Sequence, residues 1–201
     1  MGSTMRFWKN ADLRAGPGGW LAGVLAAGIL LAVAGAVLAA EGIRVDYASS
    51  GRDETSLLLN ARLHFDFDEE VYEALEHGVE LNFTVTVQVR REREWLWDPV
   101  IAEQTFDFIL EHHPLTDDYG VTDLQTGARR QFPDAREALA YMGTLRDRHL
   151  APVSDLSPDS TYHGRIRARL NLEHLPAPLQ PVAYVSRKWR MESQWYRWEV
   201  R

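Results

Sequence analysis

Residues 79–89, VELNFTVTVQV, alternate apolar and polar side chains without a break. Val79, Leu81, Phe83, Val85, Val87 and Val89 share one face, while Glu80, Asn82, Thr84, Thr86 and Gln88 share the other. Successive side chains of a strand point to opposite faces, so a period of two describes a strand with one dry and one wet side. Two further runs repeat the pattern. In residues 57–67, Leu57, Leu59, Ala61, Leu63, Phe65 and Phe67 oppose Leu58, Asn60, Arg62, His64 and Asp66. In residues 162–172, Tyr162, Gly164, Ile166, Ala168, Leu170 and Leu172 oppose His163, Arg165, Arg167, Arg169 and Asn171. One wet face per strand points to antiparallel sheets, because parallel sheets are covered on both sides.

Shorter strands are expected at 43–48, 100–111, 119–124 and 129–132, with Gln125-Thr126-Gly127 turning between the last two. Two helices interrupt them. Asp68 reads as a cap before Glu69 and Glu70, Val71, Ala74 and Leu75 form the apolar stripe, and Gly78 ends the helix. The second follows Pro133. Asp134 and Glu137 make a capping box, and Ala135, Ala138, Leu139, Met142 and Leu145 recur at helical spacing. Residues 48–55 read as a linker and 175–181 as a stiff extended connection. The expected fold class is α+β and β-rich: an antiparallel β-sandwich-like domain with two short helices, preceded by one N-terminal transmembrane helix.

That last element is residues 20–40, WLAGVLAAGILLAVAGAVLAA, which hold no charge. At about 1.5 Å of rise per residue the run matches the roughly 30 Å hydrocarbon core of a bilayer. Arg6, Lys9 and Arg14 precede it against Asp12 alone, so positive residues stay cytoplasmic and the remainder is exported. The organisation is then a cytoplasmic segment 1–19, a signal-anchor helix 20–40 and an exported β-rich domain 41–201. The expected location is a membrane crossed once, with that domain on its outer side. Small residues at 34–36 and 37–39 leave a cleaved signal peptide and a soluble periplasmic protein as the alternative. Gly19 and Gly23 have the spacing of a helix-pairing motif, but small residues abound throughout this run.

The chain's formal net charge is −7, and the four charged residues before Glu41 contribute +2, so the exported domain carries −9. A phosphate backbone needs a basic face, which argues against nucleic acid as a partner. The absence of cysteine excludes disulfides and thiolate-bound zinc or iron–sulfur clusters.

LHFDFDEEVYEALEHGV (63–79), REREWLWDPVIA (91–102), YGVTDLQTGARRQFPDAREAL (119–139) and LPAPLQPVAYVSRKWRMESQWYRW (175–198) stand in that order. Together they resemble a proteobacterial domain-of-unknown-function family, number 4390, of exported or membrane-anchored envelope proteins. The resemblance covers nearly all of the exported domain and implies an envelope protein, hence an anchor in a bacterial inner membrane with the domain in the periplasm, and no established activity, cofactor or catalytic residue. It also implies a genetic neighbourhood that often includes a membrane sensor histidine kinase, which makes such a kinase a candidate partner.

No nucleophile elbow, phosphate loop or zinc-protease helix is present. Asp66, Asp68 and Glu70 open like a calcium loop, but Val71 stands where glycine is needed, so a strand end and a helix cap are expected instead. Glu103, Asp107 and Glu111 fall on one strand face at even spacing, as a solvated stripe does, and Asp117-Asp118 suits a turn. His112 and His113 invite a metal, yet neighbours on a strand point to opposite faces. His64 and His163 sit on wet faces and are expected to meet water. No metal, cofactor or catalytic residue is assigned.

The residues least explained by folding alone are aromatic and basic: Arg90, Arg91, Arg93, Trp95 and Trp97, with Arg165, Arg167 and Arg169. An unbroken strand would drive Arg91 and Arg93 into the apolar face, so a bulge or sheet exit is expected near Arg90. Asp98-Pro99 would then leave the two tryptophans near a hairpin tip. One reading packs them against Trp189, Trp195 and Trp198 as an end of the core. The other rests the tip on anionic headgroups or a partner protein. The expected role is a non-catalytic interaction module of the envelope, and the alternative is a periplasmic carrier of a lipid or glycan.

Overall fold

The computed structural model describes residues 42–93 and 97–200, and the apolar run 20–40 and Trp95 lie outside them. Among the described residues, nine strands form two sheets joined by antiparallel ladders. The smaller sheet has the order β1-β2-β7, formed by β1 (Gly42–Arg52), β2 (Ser56–Asp66) and β7 (Thr144–Pro152). The larger has the order β6-β5-β4-β3-β8-β9. Its strands are β3 (Leu81–Arg91), β4 (Val100–His113), β5 (Asp118–Asp123), β6 (Arg129–Phe132), β8 (Tyr162–Leu170) and β9 (Tyr196–Val200). Three helices complete the α+β, β-rich architecture: α1 (Glu69–Glu76), α2 (Ala135–Met142) and α3 (Gln180–Val185). No helix among the described residues is long and apolar enough to cross a membrane.

The dry faces inferred from alternation meet between the sheets. Leu57, Leu59, Ala61, Leu63 and Phe65 of β2 are buried, as are Leu81, Phe83, Val85, Val87 and Val89 of β3. Phe83 takes Phe65 edge-on at 5.2 Å and Phe67 stacked at 5.7 Å, joining one sheet to the other. Each fully buried large side chain contributes about 1.5–3 kcal/mol, so these facing strands are a substantial part of the core. Both helix caps form as expected: Asp68 accepts the Glu70 N–H at 3.1 Å and Asp134 accepts the Glu137 N–H at 2.8 Å.

Four elements depart from the sequence reading. Residues 48–55 are no linker, because β1 continues to Arg52 and Asp53 turns the chain by accepting the Thr55 and Ser56 amides at 2.8 and 2.7 Å. That half of β1 has no apolar alternation; it pairs with β2 through the backbone ladder, with the Ser49 hydroxyl adding a bond to the Asn60 carbonyl at 3.5 Å. Strand β7 was hidden by irregular register at Leu57/Leu58 and Leu59/Ala61 and by Asp147 at φ 49°, which scramble its period. Leu145 therefore belongs to β7, and α2 ends at Met142, where the Gly143 carbonyl accepts the Leu63 N–H at 2.7 Å. The extended connection at 175–181 instead leads into α3, which carries proline in its first turn.

Candidate interaction surface

The expected irregularity at Arg90 is present, and it lies in β4. Val89 pairs with Ala102 and Arg90 with Val100, so Ile101 is the extra residue, while β3 keeps its register against β8 through Arg91 and Tyr162. Arg91 therefore does turn to the inner side. It is half-buried, its guanidinium 5.9 Å from the Tyr162 ring centre and its Nε enclosed without a hydrogen-bond acceptor among the described residues.

Beyond β3 and before β4 the described residues are 92, 93 and 97–99, the two flanks of the connecting loop. Its base is fixed by backbone: Arg91 N–H to the Pro99 carbonyl at 3.1 Å, Glu92 N–H to the Thr161 carbonyl at 2.9 Å, and Arg93 N–H to the Asp98 carboxylate at 3.1 Å. Above this base Trp97 is 93% exposed. Trp189 and Trp198 are buried elsewhere, donating to Glu70 at 2.8 Å and Ser50 at 3.3 Å, so Trp97 takes no part in an aromatic end of the core.

The loop also folds across the last rung of the wet face, and this corrects the expectation for His163. Its ring is 5% exposed, with Glu92 3.6 Å from Nδ1 and Asp98 3.8 Å from Nε2. Burial and the Arg197 charge hold the imidazole below its ordinary pKa despite those carboxylates. Alternation correctly put His163 on the outer face; a covering loop could not be read from it.

Below that rung the outer face is split by charge. Register places Gln88 beside Glu103 and Arg165, Thr86 beside Thr105 and Arg167, and Thr84 beside Asp107 and Arg169. A basic stripe on β8 and an acidic stripe on β4 thus flank a neutral β3, two strand spacings (about 10 Å) apart. Gln88 links them. Its amide nitrogen donates to Glu103 at 2.5 Å, and its oxygen accepts from Arg90 at 3.2 Å and Arg165 at 2.8 Å. Trp195 covers part of the basic stripe, its ring 4.2 Å from the Arg165 guanidinium and 4.6 Å from that of Arg167. Arg167 also pairs with Glu192 at 2.6 Å, and Arg197 with Glu92 at 2.6 Å.

The structure thus brings Arg90, Arg165 and Arg167 together, puts Arg93 and Trp97 on the loop, leaves Arg169 exposed at the far end and turns Arg91 inward. Gln88, Trp195 and Arg197 belong to the same surface; the sequence reading has Gln88 only as a wet-face residue and Trp195 only as part of an aromatic core end, and it does not name Arg197. Only Gln88 could have been found, from its place opposite the arginines once the register was known.

The histidine pair divides as alternation requires. His112 faces inward, its Nδ1 3.0 Å from the Glu76 carbonyl and its Nε2 3.3 Å from Asp117. His113 faces outward, with Asp118 2.9 Å from Nδ1 and Arg129 3.1 Å from Nε2. Among the described residues no three histidine or carboxylate side chains converge as metal ligands. Asp68 and Glu70 serve a cap, Lys188 at 3.3 and 3.6 Å, and Trp189.

No curated protein and no solved structure matches this chain. A family model does match, over residues 40–199, and its span takes in both sheets, the loop and the arginine stripe. The chain therefore belongs to the family described as Domain of unknown function (DUF4390).

Proposed function

We propose that this protein is a non-catalytic interaction module, held at the outer side of a bacterial inner membrane by residues 20–40, that docks on another envelope protein through the 92–99 loop and the β8 arginines. A membrane sensor histidine kinase is the candidate partner that the family's expected gene neighbourhood suggests. The observation that carries the reading is Trp97, 93% exposed on a loop whose base is fastened by three backbone N–H bonds. Tryptophan and arginine are the residues that most often dominate protein interfaces, and this loop presents both beside the β8 arginines. The charge-split face adds direction. A complementary partner would place acidic groups over β8 and basic groups over β4, so register as well as affinity would be specified. Tethering would make even weak docking effective by raising local concentration.

A C-terminal affinity tag and crosslinking in intact cells test this. Wild type is expected to capture a recurrent membrane protein, with the mature N-terminus still at Met1. Trp97→Ala and Arg93→Glu are each expected to reduce that capture by about tenfold or more, the scale of an interface hot spot. An unchanged partner set in both variants would remove the loop from the reading, and a chain beginning near Ala40 would remove the anchor.

A further inference from the structure

The wet-face surface leaves a second basic cluster unused, on the opposite seam of the sandwich. There residues of α2, the start of β7, β4 and β6 surround a cleft of about 730 Å³. Arg130, Arg146 and Arg148 line it together with Phe108, Tyr141 and Thr144. We propose that this cleft binds an amphiphilic organic anion, the head held by the arginines and the apolar body lying along Phe108 and Tyr141.

The argument starts at Arg148. Leu59 is its partner in the β2–β7 ladder and points into the core, so Arg148 occupies an inward position of a sandwich strand. Its guanidinium lies 5.5 Å from the Phe106 ring centre and 5.9 Å from that of Phe108, and its side chain is 19% exposed. One Nη2 N–H goes to Asp123, itself on an inward position of β5. The other four N–H groups of the guanidinium have no hydrogen-bond acceptor among the described residues, although a guanidinium offers five donors in a fixed fork. A half-buried cation with spare donors at the floor of a cleft is what a carboxylate, sulfonate or phosphate head needs.

The walls agree in charge and chemistry. Arg130 lies over the Tyr141 ring at 5.1 Å, presenting a cation beside an aromatic face, and Arg146 is exposed at the rim. Asp147 is the only carboxylate lining the cleft, and it is bonded to the Asn60 side chain at 3.3 Å. Counting Asp123 behind Arg148, three cations meet two carboxylates here, a small local excess of positive charge within a domain whose net charge is −9. That local reversal concentrates anions where the domain as a whole repels them. The volume falls in the roughly 300–1,000 Å³ range of small-molecule sites and leaves room for an apolar body beside the head.

The test uses the full chain in phosphatidylcholine nanodiscs, titrated calorimetrically with naphthalene-2-sulfonate against empty discs. Saturable binding is expected, with 2-naphthol, which has the same body without the anion, binding at least about tenfold more weakly. Arg146→Glu and Arg130→Glu, both at exposed positions, are each expected to weaken the sulfonate by about tenfold or more. Trp97→Ala should leave binding unchanged, which separates this site from the docking loop. Nanodiscs of phosphatidylglycerol distinguish the source: competition there identifies a lipid headgroup, and unaltered binding identifies a free amphiphilic acid. No saturable heat, equal affinity for 2-naphthol, or full affinity in both arginine variants would overturn the proposal.

Discussion

Gly164 shows how much one missing side chain can decide. It pairs with Trp198 across β8 and β9, and the indole lies flat where a Cβ would stand, so an alanine there would overlap the ring. Trp198 is meanwhile held by its N–H to Ser50 on β1, so it has no free direction in which to retreat. Gly164→Ala is therefore expected to cost about 1–3 kcal/mol, the range of overpacked cores, and to lower the melting temperature of the purified protein. Gly120 is the control. An alanine there would meet Glu111 at 2.8 Å (Oε1) and 3.0 Å (Cγ) and the His113 ring at 3.2 Å, side chains that can shift by a few tenths of an ångström even though Glu111 pairs with Arg129 at 2.6 Å. Gly120→Ala should thus cost clearly less, and equal losses in thermal melts would show that the indole is not the obstacle. Alternation put Gly164 on the dry face, but nothing in the sequence said that a tryptophan from residue 198 would fill its place.

At the scale of elements, legibility followed burial. β2, β3 and β8 were plain because their dry faces keep a strict period of two against one continuous core. β7 and the second half of β1 were not, because bulges and edge positions release the side chains from that period while the backbone ladder survives. Candidate residues behaved the same way: the faces of His112, His113 and His163 were legible, their surroundings were not. Those surroundings give β4 and β8 opposite responses to pH. His112 is pulled down by burial, but the Glu76 carbonyl and Asp117 outweigh it and raise its pKa above 6.5. Its contribution to stability is full below about 6.5 and is lost as pH rises through the raised value. His163 is lowered below 6.5, so its contribution is present above about 6.5 and is lost as pH falls through the depressed value. Urea midpoints measured between about pH 5 and pH 8 should therefore shift oppositely when each is replaced. His163→Gln should flatten the acid side and His112→Gln the alkaline side. Identical pH profiles for the two variants would mean that the carboxylates around His163, not its burial, set its charge.

For the whole domain, the two seams of the sandwich are built differently. On one side β1 lies directly against β8 and β9, and Trp198 spans the junction to Ser50, so the seam is closed by strands and an indole. On the other, α2 fills the gap between β2 and β7 of one sheet and β5 and β6 of the other. The ion pair of Arg148 with Asp123 spans that gap from sheet to sheet. Burial raises the Asp123 pKa, but Arg148 and the Thr126 and Gln125 amides overcome it and keep the carboxyl below its ordinary range. That holds the carboxyl ionised and the tie intact until strongly acid pH. Removing one partner of a buried pair leaves the other charge uncompensated and costs about 3–5 kcal/mol, against roughly 0–1 kcal/mol for an exposed pair such as Arg44 with Asp46. The loss should be local, because the strand-closed seam shares no residue with the tie. In native-state hydrogen exchange, Arg148→Met is expected to speed exchange in α2, β6 and β7 by orders of magnitude more than in β1 and β9. Equal acceleration at both seams would mean that the sandwich opens as one cooperative unit and that Arg148 is an ordinary contributor to its core.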